Sequence, residues 1–201
     1  MKIMKKKLVV LTGAGISAES GLKTFRDGDG LWENHRVEDV ATPEAFVSNP
    51  KLVLDFYNER RKSAAEAIPN LAHKALAKLE ENFEVTIITQ NVDDLHERGG
   101  STNVLHLHGQ LNQARSVLNS NEIFNIENQT INLGDLAKDG GQLRPHIVWF
   151  GEDVPLIEEA ARICQDADVF VIVGTSLQVY PASGLMNYVP KMADKYIVDR
   201  H

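Results

Sequence analysis

"LTGAGISAESGLKTFRD" (residues 11–27) decides how this chain is read. It follows "LVVLT" (8–12), an apolar run without alternation, as expected for a parallel strand buried on both faces. The next residues, "GAGISA", satisfy a G-x-G-x-x-A spacing. In such a motif Gly13 permits a tight turn, Gly15 lets backbone approach a phosphate, and Ala18 leaves room for helix packing. A dehydrogenase would then place an acidic residue about 20 positions on, after a second buried strand, to hold a ribose. Asp39 stands near that distance, but "GLWENHRVEDVATP" contains no buried strand. Hydride transfer is therefore disfavoured, and a nucleotide that is consumed becomes the alternative.

Working outward, further short apolar runs read as parallel strands: "VTIITQ" (85–90), "NVLHLHG" (103–109), "VFVIVGT" (169–175) and "KYIVD" (195–199). Helical patterns lie between them. "NLAHKALAKLE" has an Asn70 cap and an apolar face of Leu71, Ala75, Leu76 and Leu79, and "VPLIEEAARICQ" (154–165) follows a candidate Asp153 cap. This alternation predicts an α/β fold, a Rossmann-like doubly wound parallel sheet. Two stretches break it. One holds a polar loop and then a long helix opened by Thr42 and Pro43; the other, about 112–142, is polar. They predict a smaller lobe from 24–69 and 112–142, against a larger lobe from 1–23, 70–111 and 143–201.

Composition narrows the function classes. The 201 residues are 43% hydrophobic and 24% charged, a soluble globular balance that predicts neither disorder nor membrane spanning. A net charge of -7 with scattered basic residues argues against nucleic-acid binding. The apolar run after the first lysines is too short for a secretory signal, and a single cysteine, Cys164, rules out a disulfide framework. These features predict a cytoplasmic protein; they say nothing of oligomeric state.

Chemistry-bearing residues gather at the predicted strand ends. "TQNVDDLH" places Gln90, Asn91 and Asp93 beyond one buried run, able to hydrogen-bond a ribose and a carboxamide. Gly174, Thr175 and Ser176 end another, suited to phosphate or ribose contacts. In "VLHLHG", His106 reads as a hydrogen-bonded core residue. His108, against Gly109, is the better general-base candidate because a ligand can approach it there.

Together "GAGISAESGLKTFRD", "TQNVDDLH", "LHLHG", "RPHIVWFGE" and "GTS" resemble the sirtuin family of NAD-dependent protein lysine deacylases. The resemblance implies that NAD is a co-substrate that is split, and that the partner is an acylated-lysine protein or peptide. It assigns NAD binding to Gly13, Ala14, Gly15, Ala18, Phe25, Arg26, Trp32, Gln90, Asn91, Asp93, Gly174, Thr175, Ser176 and Asp199. Phe25 would shield the reacting sugar, Arg26 hold phosphate, and Asn91 and Asp93 orient the nicotinamide ribose and carboxamide. The acyl oxygen would capture the sugar as nicotinamide leaves, and His108 would deprotonate a ribose hydroxyl to carry the reaction on to O-acyl-ADP-ribose and free lysine. Val148, Phe150 and Gly151 would pair with the substrate peptide as an added strand. "FYNERR" resembles members that remove acidic acyl groups: Tyr57 and Arg60 would bind the distal carboxylate and Ala41 make room, so desuccinylation and demalonylation are expected, with deacetylation alongside. Mono-ADP-ribosyl transfer and a non-catalytic NAD or ADP-ribose sensor remain as other readings.

The chain departs from the family at the metal. Most members carry two Cys-x-x-Cys pairs holding zinc in the small lobe; here Ser116 stands where the first such cysteine is expected, and one cysteine cannot build a four-thiolate site. No zinc is expected. Ile123, Phe124, Ile126, Ile131 and Leu133 are expected to form an apolar cluster in its place, and one of Trp149 and Phe150 is expected in the core.

Overall fold

The computed structural model describes residues 5–23 and 31–199. The first strand is β1 (Lys7–Thr12); a short hairpin follows, β2 (Leu31–Trp32) and β3 (His35–Arg36), and then helices α1 (Val37–Val40), α2 (Pro43–Ser48), α3 (Pro50–Glu66) and α4 (Leu71–Lys78). After them come β4 (Glu84–Thr89), α5 (Leu95–Arg98), β5 (Val104–His106), β6 (Gly109–Ser116), β7 (Ile123–Asn125), β8 (Leu143–Ile147), α6 (Ile157–Gln165), β9 (Val169–Val173) and β10 (Asp194–Val198).

Five strands form the main sheet in the order β10-β9-β1-β4-β5, every pairing parallel. Alternation along β1 explains its unbroken apolar run. Leu8 and Val10 pack on one side with Leu76, Val85 and Ile87, while Val9 and Leu11 pack on the other with Ala160, Cys164, Phe170 and Leu185. Each such side chain contributes about 1.5–3 kcal/mol on full burial. From β1 the chain moves one way to β4 and β5, then returns beyond β1 to β9 and β10. The switch of direction opens a crevice between the ends of β1 and β9, where ligands bind in such sheets. In register, Thr12 lies beside Thr89 and Val173, and Val173 beside Val198, so four strand ends stand side by side.

A second, antiparallel sheet has the order β7-β6-β8. The sequence boundary at residue 143 falls at the start of β8, a strand of this smaller sheet. Val40, Ala45, Val53, Phe56 and Tyr57 pack with Leu111, Ile147 and Trp149, which joins the helical excursion to that sheet.

Several expectations are corrected. The long helix is two helices: Pro50 lacks the N–H that would continue the first, and Asn49 caps the second by accepting from Leu52 N at 3.2 Å. Thr42 does cap α2, accepting from Ala45 N at 3.1 Å. The cap of α4 is Asn70 as expected, yet Leu71 and Ala75 are exposed; His73 and Leu76 take the inner face. Asp153 caps nothing, since α6 begins only at Ile157 behind Leu156. The strand expected over 103–109 ends at His106, because Gly109 turns the chain at φ +79°. The last strand spans 194–198 and not 195–199. Of the five residues expected to cluster, Ile131 is buried with Leu54 and Ala114, and Ile126 packs partly against them. Ile123 is exposed because it lies on β7, an edge strand, and Leu133 is exposed in the loop between β7 and β8.

Candidate active site

The glycine turn does not open a long helix. It leads into two single 3-10 turns, Ala14–Ile16 and Ala18–Ser20, ended by Gly21 in the left-handed conformation. Gly13 is extended, and a Cβ there would lie 2.6 Å from the Thr175 side chain. A Cβ on Gly15 would lie 2.7 Å from Gly174 O, which already accepts from Gly15 N at 2.8 Å. The glycines therefore let the loops after β1 and β9 touch as bare backbone. Gln90 Nε2 donates to Thr175 Oγ1 at 3.1 Å, tying the β4 end to the same place. Ala14 and Ser176 are exposed beside this contact, Ala18 is half-buried, and Asp199 follows the end of β10. Phe25 and Arg26 lie outside the described residues.

Behind the loops is a closed polar network. Ser17 Oγ donates to Asp93 Oδ2 at 3.1 Å and accepts from Asn91 Nδ2 at 3.0 Å. Asp93 Oδ1 accepts from Leu95 N, and Asn91 N donates to Thr89 Oγ1 at 3.0 Å. Burial pushes the Asp93 carboxyl upward, while the Leu95 N–H and the Ser17 hydroxyl pull it back. Thr12 Oγ1 donates to Thr89 Oγ1 at 2.8 Å and so accepts from His96 Nε2 at 3.0 Å. His73 accepts from Asn70 N at Nδ1, which leaves its Nε2–H facing Ser17 Oγ at 3.5 Å. Burial keeps both imidazoles neutral, His73 pushed down to about 4 and His96 to about 3.

The two histidines of "HLH" part company. His106 Nδ1 faces Asn91 O at 3.0 Å and its Nε2 faces Glu97 Oε1 at 2.7 Å. Both partners only accept, so both ring nitrogens carry hydrogen. Burial opposes that charge, but the Glu97 hydrogen bond and charge outweigh it and raise the His106 pKa. His108 instead sits in the turn after β5, half-buried, with Nδ1 against Gln90 O at 3.1 Å. Burial lowers its pKa, which keeps it neutral. A carbonyl partner fixes the hydrogen on Nδ1 and leaves Nε2 with a free lone pair, the form a general base requires.

The same turn anchors the segment after β8. His108 O accepts from Val148 N at 2.9 Å, and Ala41 O accepts from Phe150 N at 3.0 Å. Phe150 is half exposed while Trp149 is buried, which settles which aromatic belongs to the core. Gly151 adopts φ +91° with no atom within 4 Å of a would-be Cβ. Trp149 Nε1 donates to the wholly buried Tyr57 OH at 3.0 Å, leaving that hydroxyl its own hydrogen to donate. Glu152 locks the segment: it accepts from Arg144 at 2.7 and 3.1 Å, from Arg115 at 3.2 and 3.3 Å, and from Trp149 N at 2.8 Å. Burial opposes the Glu152 charge, but these donors hold its pKa below the usual carboxylate value. Ser116 donates to Asp139 at 2.8 Å, and Asp139 accepts from Gly141 N, so a hydrogen-bonded knot stands at the expected first-cysteine position.

Arg60 lies on α3 with its side chain only 13% exposed. Its guanidinium stacks 4.3 Å from the Trp32 ring centre, so Trp32, which the resemblance assigned to the nucleotide, stands against Arg60 and Phe56. Arg60 Nε is buried without a hydrogen-bond partner among the described residues. Burial depresses the Arg60 pKa, and the fields of Tyr57, Glu33 and Asp93 offset part of that. Among the described residues no group of three or more His, Cys, Asp or Glu could hold a metal ion, and no helix is long and apolar enough to cross a membrane.

Sequence reasoning missed Ser17, Glu33 and Glu152. Ser17 was findable, being the polar residue inside the glycine motif; Glu33 faces Arg60 from 27 positions away, and Glu152 ties Trp149 and Arg144 on its own segment to the distant Arg115.

A doubly wound sheet with polar groups along its strand ends is the arrangement that binds nucleotides, and a histidine with a free lone pair beside them is suited to taking a proton. The chain belongs to the Sir2 family, which it matches over residues 13–181. It is 58% identical over 194 residues to an NAD-dependent protein deacylase of Helicobacter pylori, covering 96% of this chain and 84% of the relative. An ADP-ribose complex of a Sir2 homologue superposes with a TM-score of 0.87 at 44% identity, covering 96% of this chain and 79% of that one. A Sir2 homologue in complex with NAD gives a TM-score of 0.83 at 41% identity, covering 96% and 84%.

Proposed function

We propose that this protein is an NAD-dependent protein lysine deacylase that removes acidic acyl groups, succinyl and malonyl, and also acetyl. The family membership and the naming of relatives as NAD-dependent protein deacylases carry the activity to this chain. The acyl preference rests on Tyr57, Arg60 and Ala41.

The residues present fit NAD. Bare glycine backbone at 13, 15 and 174 leaves no room for a Cβ, and Thr175, Ser176 and Asp199 offer hydroxyls and a carboxylate at adjacent strand ends. NAD, when bound, supplies a glycosidic bond to nicotinamide whose cleavage makes the ADP-ribose an acyl acceptor. Asn91 and Asp93, held by Ser17, orient the nicotinamide half. His108 Nε2 takes the proton from a ribose hydroxyl, its tautomer fixed by Gln90 O. Val148 and Gly151 offer backbone to the peptide and Phe150 lines the lysine path. Tyr57 OH and Arg60 receive the distal carboxylate, a planar partner for a guanidinium fork.

What supports this reading most is the pair of bonds Val148 N to His108 O and Phe150 N to Ala41 O. They run one segment from the base to the residue beside the acyl end. The test is a panel of acetyl-, malonyl- and succinyl-lysine peptides assayed with NAD, using the native protein and Arg60→Met. Desuccinylation falling while deacetylation persists supports the carboxylate role; an unchanged succinyl-to-acetyl ratio overturns it.

A further inference from the structure

Among the described residues one carboxylate, Glu33, lies within 4 Å of Arg60, and it is loosely held, while Asp93 acts on Arg60 from farther away. Glu33 Oε1 lies 3.9 Å from Arg60 Nη1, beyond hydrogen-bond distance, while its Oε2 lies 3.2 Å from Lys23 Nζ. The position of Glu33 is built in. It is the first residue of the turn joining β2 to β3, where Glu33 and Asn34 both adopt left-handed conformations, φ 49° and 67°. The hairpin pairs Trp32 with His35, so the indole that stacks on Arg60 and the carboxylate that faces it come from adjacent residues.

A buried guanidinium needs a negative partner, because leaving it uncompensated costs far more than leaving an exposed one so. A succinyl or malonyl group would bring that partner; an acetyl group would not. We propose that Glu33 is a resident counterion for Arg60 and a specificity-determining residue that sets the balance between neutral and acidic acyl groups. This rests on the proposed carboxylate role of Arg60. With a neutral acyl group in place, Glu33 compensates Arg60 and deacetylation proceeds. With an acidic acyl group, two carboxylates share one guanidinium, and Glu33 weakens the binding of the incoming one by like-charge repulsion. At 3.9 Å the existing pair leaves the guanidinium edge open to a second carboxylate, and Lys23 gives Glu33 another partner to lean on.

The experiment measures kcat and KM for acetyl-, propionyl- and succinyl-lysine peptides on Glu33→Gln, Glu33→Asp, Arg60→Met and Glu33→Gln/Arg60→Met. Glu33→Gln is expected to lower the succinyl KM about fivefold, the size of one like-charge contact in a partly wet site, with kcat little changed. Its acetyl and propionyl KM values are expected to rise. Glu33→Asp keeps the charge on the same turn and is expected to keep a ratio near that of the native protein. In the Arg60→Met background, Glu33→Gln is expected to leave the acetyl and propionyl KM values unmoved, because no guanidinium remains for Glu33 to compensate. If Arg60→Met abolishes the acidic preference but Glu33→Gln leaves the ratio unmoved, or if Gln and Asp shift it equally, the counterion role is overturned alone. If Arg60→Met itself leaves the ratio unmoved, the reading of Arg60 falls and this proposal with it.

Discussion

The two sides of the candidate site are built on opposite principles. On the strand-end side nearly every polar group is tied to a neighbour: Thr12 to Thr89 and His96, Ser17 to Asn91 and Asp93, His108 to Gln90. On the helical side Arg60 has, among the described residues, an unpartnered Nε and no carboxylate closer than 3.9 Å. A saturated network fixes geometry and so suits a reaction whose atoms must be held in place. An unsaturated cation instead awaits a ligand, and suits selection among substrates. On the roles proposed for His108 and Arg60, the difference teaches that chemistry and choice are separable, on different elements of the fold.

The sharpest way to break that separation is to remove the base. His108→Ala should lower kcat by about 10²–10⁴, the usual worth of a general base, and equally for acetyl and succinyl peptides. Steady-state kinetics on both substrates checks this; a loss confined to one acyl group would mean the sides are not independent. In the native protein the acid limb of the rate profile should fall below the ordinary histidine value of 6.5, because burial lowers the His108 pKa and the neutral form is the active one.

The next effect concerns the segment that joins the two sides. Glu152→Gln leaves Arg115 and Arg144 without their shared carboxylate, and should cost about 3 kcal/mol, the lower part of the range for a broken buried pair. Denaturant titration reads that loss, and a raised peptide KM with unchanged NAD KM would place it on the docking segment.

The smallest effect sharpens the contrast between the two neighbouring histidines. Glu97→Gln removes the carboxylate that keeps His106 charged, and Glu97 is itself 40% exposed, so about 1–2 kcal/mol is expected. The sign with pH follows from both partners. His106 is raised, so its share of stability is full below the unfolded histidine value and fades as pH rises through the folded one. Glu97 is lowered, so its share is present above the unfolded carboxylate value and fades as pH falls through the folded one. The variant should therefore differ most from the native protein near pH 6 and least at alkaline pH, as thermal melts across pH will show.

The legibility of the fold follows the same division. Strands buried on both faces announce themselves as continuous apolar runs, so β1, β4 and β9 were readable, as were the polar residues immediately after them. Caps made by Thr42 and Asn70 were readable because their bonds are local. The break at Asn49 was missed because apolar spacing continued across Pro50. His73 was missed on the inner face of α4 because a polar residue can occupy a core position when Asn70 and Ser17 satisfy it. Tyr57 and Arg60 were legible as a pair on one helical face, but Trp149 and Glu33, which determine what surrounds them, come from distant segments. Period and composition carry no record of such partners.

The most direct test of the account is to mix the protein with NAD and a succinyl-lysine peptide and weigh every product by mass spectrometry. The account predicts nicotinamide, free-lysine peptide and O-succinyl-ADP-ribose in equal amounts. ADP-ribose attached to the peptide, or no release of nicotinamide at all, would contradict it.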